Sequence, residues 1–247
     1  MGRIPMSAVE EDIYDPESTM VKISEMFGPT LQGEGRSQGR PVAFVRFGMC
    51  NLDCSWCDTP FTWDWKGKNG VVFDPKEELH RLTVQSVIEW CEPFSRIVIS
   101  GGEPLVQKKQ LKMITDALID DHVIEIETNG IFSPEGLHDD IQFNVSPKIG
   151  NSGGAFNRAI KPQVLLEYIE RLSIFKFVIS QPVDLREVQQ IVSDLGIPRN
   201  QVWIMPEGRT QQEILSRLPL LFDACATLGW SLATRLHVLA HNDQRAI

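Results

Sequence analysis

Three cysteines, Cys50, Cys54 and Cys57, stand in a C-x-x-x-C-x-x-C run. Thiolates are the usual protein ligands of iron–sulfur clusters. Three this close can hold three irons of a [4Fe-4S] cube and leave the fourth without a protein ligand. An iron with an open position can bind a small molecule and pass it an electron. The plainer alternatives are a zinc knuckle or a disulfide. Zinc calls for a fourth ligand at pair spacing, whereas Cys91 and Cys225 are distant and sit in apolar helical patterns.

Other candidate groups fall at the ends of apolar runs. Ile97-Val98-Ile99 leads into Ser100-Gly101-Gly102-Glu103-Pro104, where two glycines let the backbone approach a ligand. Glu103 adds an acceptor for an ammonium or a ribose hydroxyl. Ile124-Glu125-Ile126 leads to Glu127-Thr128-Asn129-Gly130, and Phe143-Asn144-Val145 to Ser146-Pro147-Lys148. Any one of these could be a cap or turn; three together are expected to line one mouth. Asp58-Thr59, just after Cys57, is a hard-oxygen pair that suits either a turn cap or Mg²⁺. Arg46, on the run that ends beside the cysteines, is expected to be a buried charge without a partner, and so a clamp for a carboxylate.

Alternating strand and helix signals must position these groups. Strands are expected at 21–27, 42–47, 96–100, 123–127, 141–145, 174–179, 201–205 and 230–236. Helices are expected from Thr83 as N-cap, over 107–119, 164–172 and 184–195, and from Thr210 to Gly229 with a restart at Pro219. Such alternation favours parallel strands with right-handed crossovers. A complete eightfold barrel takes about 250 residues. With 1–20 polar and set apart as a flexible extension, residues 21–247 suit a single α/β domain built as a partial TIM-like barrel, helices outside.

The formal net charge of −9 argues against a nucleic-acid partner, and no apolar run is long enough to cross a bilayer. Five cysteines without an extracellular pattern fit a cytoplasmic protein.

CxxxCxxC followed by GGEP along one α/β domain resembles the radical S-adenosylmethionine (SAM) superfamily. Glu25-Met26-Phe27, Thr30-Leu31-Gln32-Gly33-Glu34-Gly35, Phe44-Val45-Arg46, Cys57-Asp58-Thr59 and Ser146-Pro147-Lys148 narrow the resemblance to the 7-carboxy-7-deazaguanine synthase family. That resemblance implies a lyase converting 6-carboxy-5,6,7,8-tetrahydropterin to 7-carboxy-7-deazaguanine with loss of ammonia, on the route to queuosine. It implies that Cys50, Cys54 and Cys57 hold a [4Fe-4S] cluster, whose open iron is chelated by SAM. Gly102, Glu103, Ser146, Pro147 and Lys148 would contact SAM. Leu31, Gln32, Gly33, Arg46 and Ser100 would bind substrate, and Thr59 would ligate Mg²⁺. SAM would be cleaved reductively to a radical that takes hydrogen from the pterin. The resemblance further implies a homodimer and an electron donor such as flavodoxin or ferredoxin. Residues 235–241 match such proteins only loosely, and no contact is assigned there. Two other readings compete: a glycyl-radical-enzyme activase of the same superfamily, and a zinc-binding interaction module.

Overall fold

The computed structural model describes residues 15–153 and 159–247. Residues 1–14 of the expected extension lie outside the described residues. Asp15 to Thr19 make a turn, and the Pro16 and Thr19 carbonyls accept from Gln85 and Val84.

The described strands form one nine-stranded sheet. They are β1 (Met20–Leu31), β2 (Pro41–Phe47), β3 (His80–Thr83), β4 (Arg96–Gly101), β5 (Val123–Thr128), β6 (Gln142–Val145), β7 (Ile174–Ile179), β8 (Val202–Pro206) and β9 (Ser231–Leu232). Their order is β3-β1-β2-β4-β5-β6-β7-β8-β9. From β2 onward each neighbour is parallel; β1 runs antiparallel to both β2 and β3. β3 and β9 remain as edges, so the expected partial barrel is present, extended by an antiparallel ribbon.

Residue alternation along each strand separates two environments. Ile97 and Ile99, Ile124 and Ile126, Phe143 and Val145, and Phe175 and Phe177 belong to the main apolar core. Helices α2 (Val84–Cys91), α3 (Lys108–Leu118), α4 (Pro162–Glu170), α5 (Asp184–Leu195) and α6 (Gln211–Leu228) contribute apolar side chains to it; α1 (Pro75–Glu78) is a single turn. Cys91 and Cys225 are buried in this core, as their helical spacing implies. The alternate positions, Arg46, Ser100, Glu125, Glu127, Asn144 and Lys176, carry polar groups on the other face. Glu125 is fully buried there and accepts from Ser37, Asn144 and Arg96, which ties the loop after β1 to the sheet.

Local chemistry sets the helix ends. Thr83 accepts from Ser86 N–H at 3.1 Å, Thr210 and Glu213 form a capping box, and Gly196 ends α5 in the left-handed conformation. Two expectations fail. α6 does not restart at Pro219 but runs through it. Pro219 and Leu215, four residues back, are both exposed, so water can satisfy the freed carbonyl. The strand expected over 230–236 is only Ser231–Leu232, followed by α7 (Leu236–His241). Arg235 turns inward to bind two carboxylates, and Leu236 N–H donates to the Gly33 carbonyl at 2.8 Å. Those bonds pull the chain off the sheet edge.

Candidate active site

A cavity of about 390 Å³ opens over the carboxyl ends of the parallel strands, where α/β folds hold ligands. The cysteine loop forms one wall. β2 delivers the chain to Met49, whose N–H donates to the Thr62 carbonyl and whose own carbonyl accepts from Glu103 N–H at 2.9 Å. The Gly-Gly pair exists for this contact. Gly101 has φ +127°, and a Cβ on it would run into the Phe47 backbone; one on Gly102 would strike the Met49 carbonyl.

Cys50, Cys54 and Cys57 all face the cavity. Burial pushes the Cys50 thiol up to about 12 and also raises Cys54 and Cys57. Burial thus favours the protonated thiols, and ligation must release protons. Leu52 N–H donates to Cys50 Sγ at 3.4 Å and the Trp63 indole N–H to Cys57 Sγ at 3.3 Å. Such donors tune an iron–sulfur cluster. Cys91 and Cys225, the other two cysteines, are buried in the apolar core and cannot supply the fourth thiolate that a structural zinc site wants. Three thiols on one cavity wall fit a cluster, in which each binds a different iron.

Past the cysteines, Ser146 and Lys148 line the cavity from the end of β6. Lys148 donates to Ser146 Oγ at 2.8 Å and lies 5.3 Å from the centroid of the Trp56 ring. Trp56, Val178 and Met205 make an apolar patch beside them.

The opposite wall holds the predicted substrate residues. Leu31, Gln32, Gly33, Arg46 and Ser100 all border the cavity, as do Thr59 and Gly102. Gln32 Nε2 and Ser100 Oγ both reach Glu127, at 3.3 and 2.7 Å. Thr59 Oγ1 lies 3.4 Å from the Gly101 carbonyl, so two neutral hard oxygens stand together, a donor set that suits Mg²⁺ if substrate and water complete the shell.

Three expectations need correction. Arg46 is paired: its Nε donates to Glu25 at 2.7 Å, and its guanidinium lies 5.8 and 5.9 Å from the Phe27 and Phe44 rings. The pair uses Nε, so the terminal nitrogens are not consumed by it. Glu103 does not border the cavity. It is fully buried, and its carboxylate accepts from Leu105 N–H, Thr128 Oγ1 and Asn129 N–H, bracing the β4 and β5 loops. Pro147 is not in the lining either.

The charged groups between the walls escaped the sequence-based assignment. Glu34 sits between Lys176 and Arg235, with Arg235 Nε at 2.8 Å. Burial alone would raise its carboxyl, but the two cations hold it well below the usual range. Lys176 also lies 3.9 Å from Glu127. Arg235 reaches Asp58 and, at 2.6 Å, the Gly208 carbonyl. Burial keeps the His237 imidazole below its ordinary value despite the pull of Glu34. Arg245 closes the rim, 3.7 Å from the centroid of Phe61 and paired with Glu25 and Glu78. A lysine inside the apolar run Ile174-Phe175-Lys176-Phe177 was a readable signal of a buried partner; Arg235 offered none.

A partial parallel barrel with a three-cysteine loop at its carboxyl mouth defines a radical SAM core. No family model matches the chain. It is 33% identical over 229 residues to the 7-carboxy-7-deazaguanine synthase of Pyrobaculum aerophilum, covering 91% of this chain and 96% of that protein. It is 31% identical over 236 residues to the enzyme of the same name from Hyperthermus butylicus, covering 90% and 93%. The chain belongs to the 7-carboxy-7-deazaguanine synthase family. The crystal structure of QueE from Escherichia coli superposes with a TM-score of 0.71 at 23% identity, over 93% of this chain and all of that one, and shares the fold.

Proposed function

We propose that this chain converts 6-carboxy-5,6,7,8-tetrahydropterin to 7-carboxy-7-deazaguanine with loss of ammonia. The observation that carries the reading is one cavity joining the three thiols to a wall of Gln32, Glu127, Ser100 and Arg46, in a chain that belongs to this family. When bound, the [4Fe-4S] cluster and SAM supply the one-electron chemistry that makes a substrate radical.

The protein's own groups do the holding. Cys50, Cys54 and Cys57 would take the cluster. Gly102, Ser146 and Lys148 would meet SAM, with the Trp56–Met205 patch available to an adenine ring. Glu127 can accept from the amino-pyrimidine edge of a pterin while Ser100 and Gln32 keep its carboxylate aimed. The terminal nitrogens of Arg46 suit the substrate carboxylate, and Thr59 would complete a Mg²⁺ site with it. Leu31 and Gly33 border the same wall. Lys176 and Arg235 neutralise Glu34, so the pocket can be dry without a bare charge. Among the described residues no helix is long and apolar enough to cross a membrane. Homodimer formation, a cytoplasmic setting and reduction by a flavodoxin or ferredoxin come with the family resemblance and complete the proposal.

The test is turnover. Protein reconstituted without oxygen should be brown and, given SAM, a reductant, Mg²⁺ and carboxytetrahydropterin, should yield the deazaguanine acid by mass spectrometry. Cleaved SAM with no deazapurine would overturn the substrate assignment. A colourless, zinc-loaded protein would overturn the whole reading.

A further inference from the structure

We propose that Arg235 is a built-in counter-cation for the Asp58–Thr59 turn and sets how tightly this site holds a divalent cation. The inference rests on the Mg²⁺ site proposed above. Divalent cations bind hard oxygens, carboxylates above all. Asp58 directly precedes Thr59 and borders the cavity, so it is the obvious carboxylate to recruit. It is already taken: Arg235, 7% exposed, pairs with it. The other guanidinium nitrogens are also engaged, Nε by Glu34 at 2.8 Å and Nη1 by the Gly208 carbonyl at 2.6 Å. Partners from three loops thus fix the guanidinium beside Asp58, and it cannot swing away without breaking all of them. Glu34 is neutralised in turn by Lys176 and Arg235, and Lys176 also stands 3.9 Å from Glu127. The hard oxygens left beside Asp58 in that turn are neutral, the Thr59 hydroxyl and the Gly101 carbonyl 3.4 Å apart. Most of the cation's negative ligation then has to come from the substrate.

A guanidinium that merely clips loops together makes the opposite forecast from a counter-cation. Losing a clip loosens the metal site; losing a counter-cation frees Asp58 and tightens it. Reconstituted wild type, Arg235→Gln, Arg235→Lys and the double variant Asp58→Asn/Arg235→Gln are titrated with Mn²⁺, and free metal is measured by electron paramagnetic resonance. Each is run with SAM alone and with SAM plus carboxytetrahydropterin, after circular dichroism has confirmed folding. Arg235→Gln should bind Mn²⁺ about tenfold more tightly than wild type. Arg235→Lys, and the double variant whose pair is again neutral, should stay within about twofold. Unchanged or weaker binding by Arg235→Gln overturns the proposal. If that variant does not fold, a tenfold weakening in the double variant does so instead. The titration with SAM alone reads Arg235 whatever the substrate is, whereas absent turnover in wild type speaks only against the substrate assignment.

Discussion

At the scale of single residues, the sulfur atoms are set by their donors. Trp63 lies six residues beyond Cys57, and its indole N–H reaches Cys57 Sγ at 3.3 Å. A hydrogen bond to a ligating sulfur favours the more electron-rich, reduced cluster, so removing it should lower the reduction potential. Trp63→Phe keeps the ring and deletes the donor. The variant should load iron as wild type does but show a more negative cluster potential in an anaerobic redox titration. An unchanged potential with full iron would mean that this bond does no tuning. Glu103 shows the converse at the same scale. Its motif pointed to a ligand contact, yet three backbone and side-chain donors consume its carboxylate within the protein. Residue type told what Glu103 could bind; only the surrounding loops told what it does bind.

At the scale of elements, the strand ends bring the groups together, and the Gly101-Gly102 turn fixes the spacing between the cysteine loop and β4. Gly101→Ala would put a side chain against the Phe47 backbone at φ +127°. Backbone strain of this kind costs about 1–3 kcal/mol before the clash is counted. The expected outcome is a lower melting temperature together with iron content well below wild type; a melt within a degree of wild type and full iron would show that the turn is not needed. Elements of this sort were legible in the sequence because their signals are local: the C-x-x-x-C-x-x-C run, Thr83 and Thr210 as caps, Gly196 as a stop, apolar runs ending in glycine or serine. Three features were not. β9 shrinks because Arg235 is drawn toward Asp58, 177 positions earlier in the chain. Glu127 becomes the partner of Gln32 across 95 positions. Arg46 finds Glu25 only because β1 runs antiparallel beside β2, pairing the two in register. Long-range pairing of polar groups leaves no periodic trace, so patterning could place the wall but not its hydrogen bonds.

At the scale of the whole molecule, Glu34 is the knot that ties three distant segments: the loop after β1, β7 through Lys176, and the segment after β9 through Arg235. Its carboxyl is held well below the ordinary value of about 4.3, chiefly by the two cations working against burial. A carboxyl with a depressed folded pKa contributes stability that is fully present above its unfolded pKa and is lost as the pH falls below it. Lys176, raised by the same partner against burial, keeps its contribution at every pH below the ordinary lysine range. The network is therefore intact at neutral pH and fails on the acid side. Glu34→Gln removes one partner of a buried ionic group, a change that costs about 3–5 kcal/mol in comparable settings. Melts of the cluster-free chain at steps from pH 7 to pH 3 should show the variant well below wild type at neutrality. Wild type should then lose stability more steeply below about pH 4, because only it has this carboxylate to protonate, and the gap should narrow. A gap that stays constant from pH 7 to pH 3 would show that the charge on Glu34 does not hold these segments together, leaving shape alone to do so.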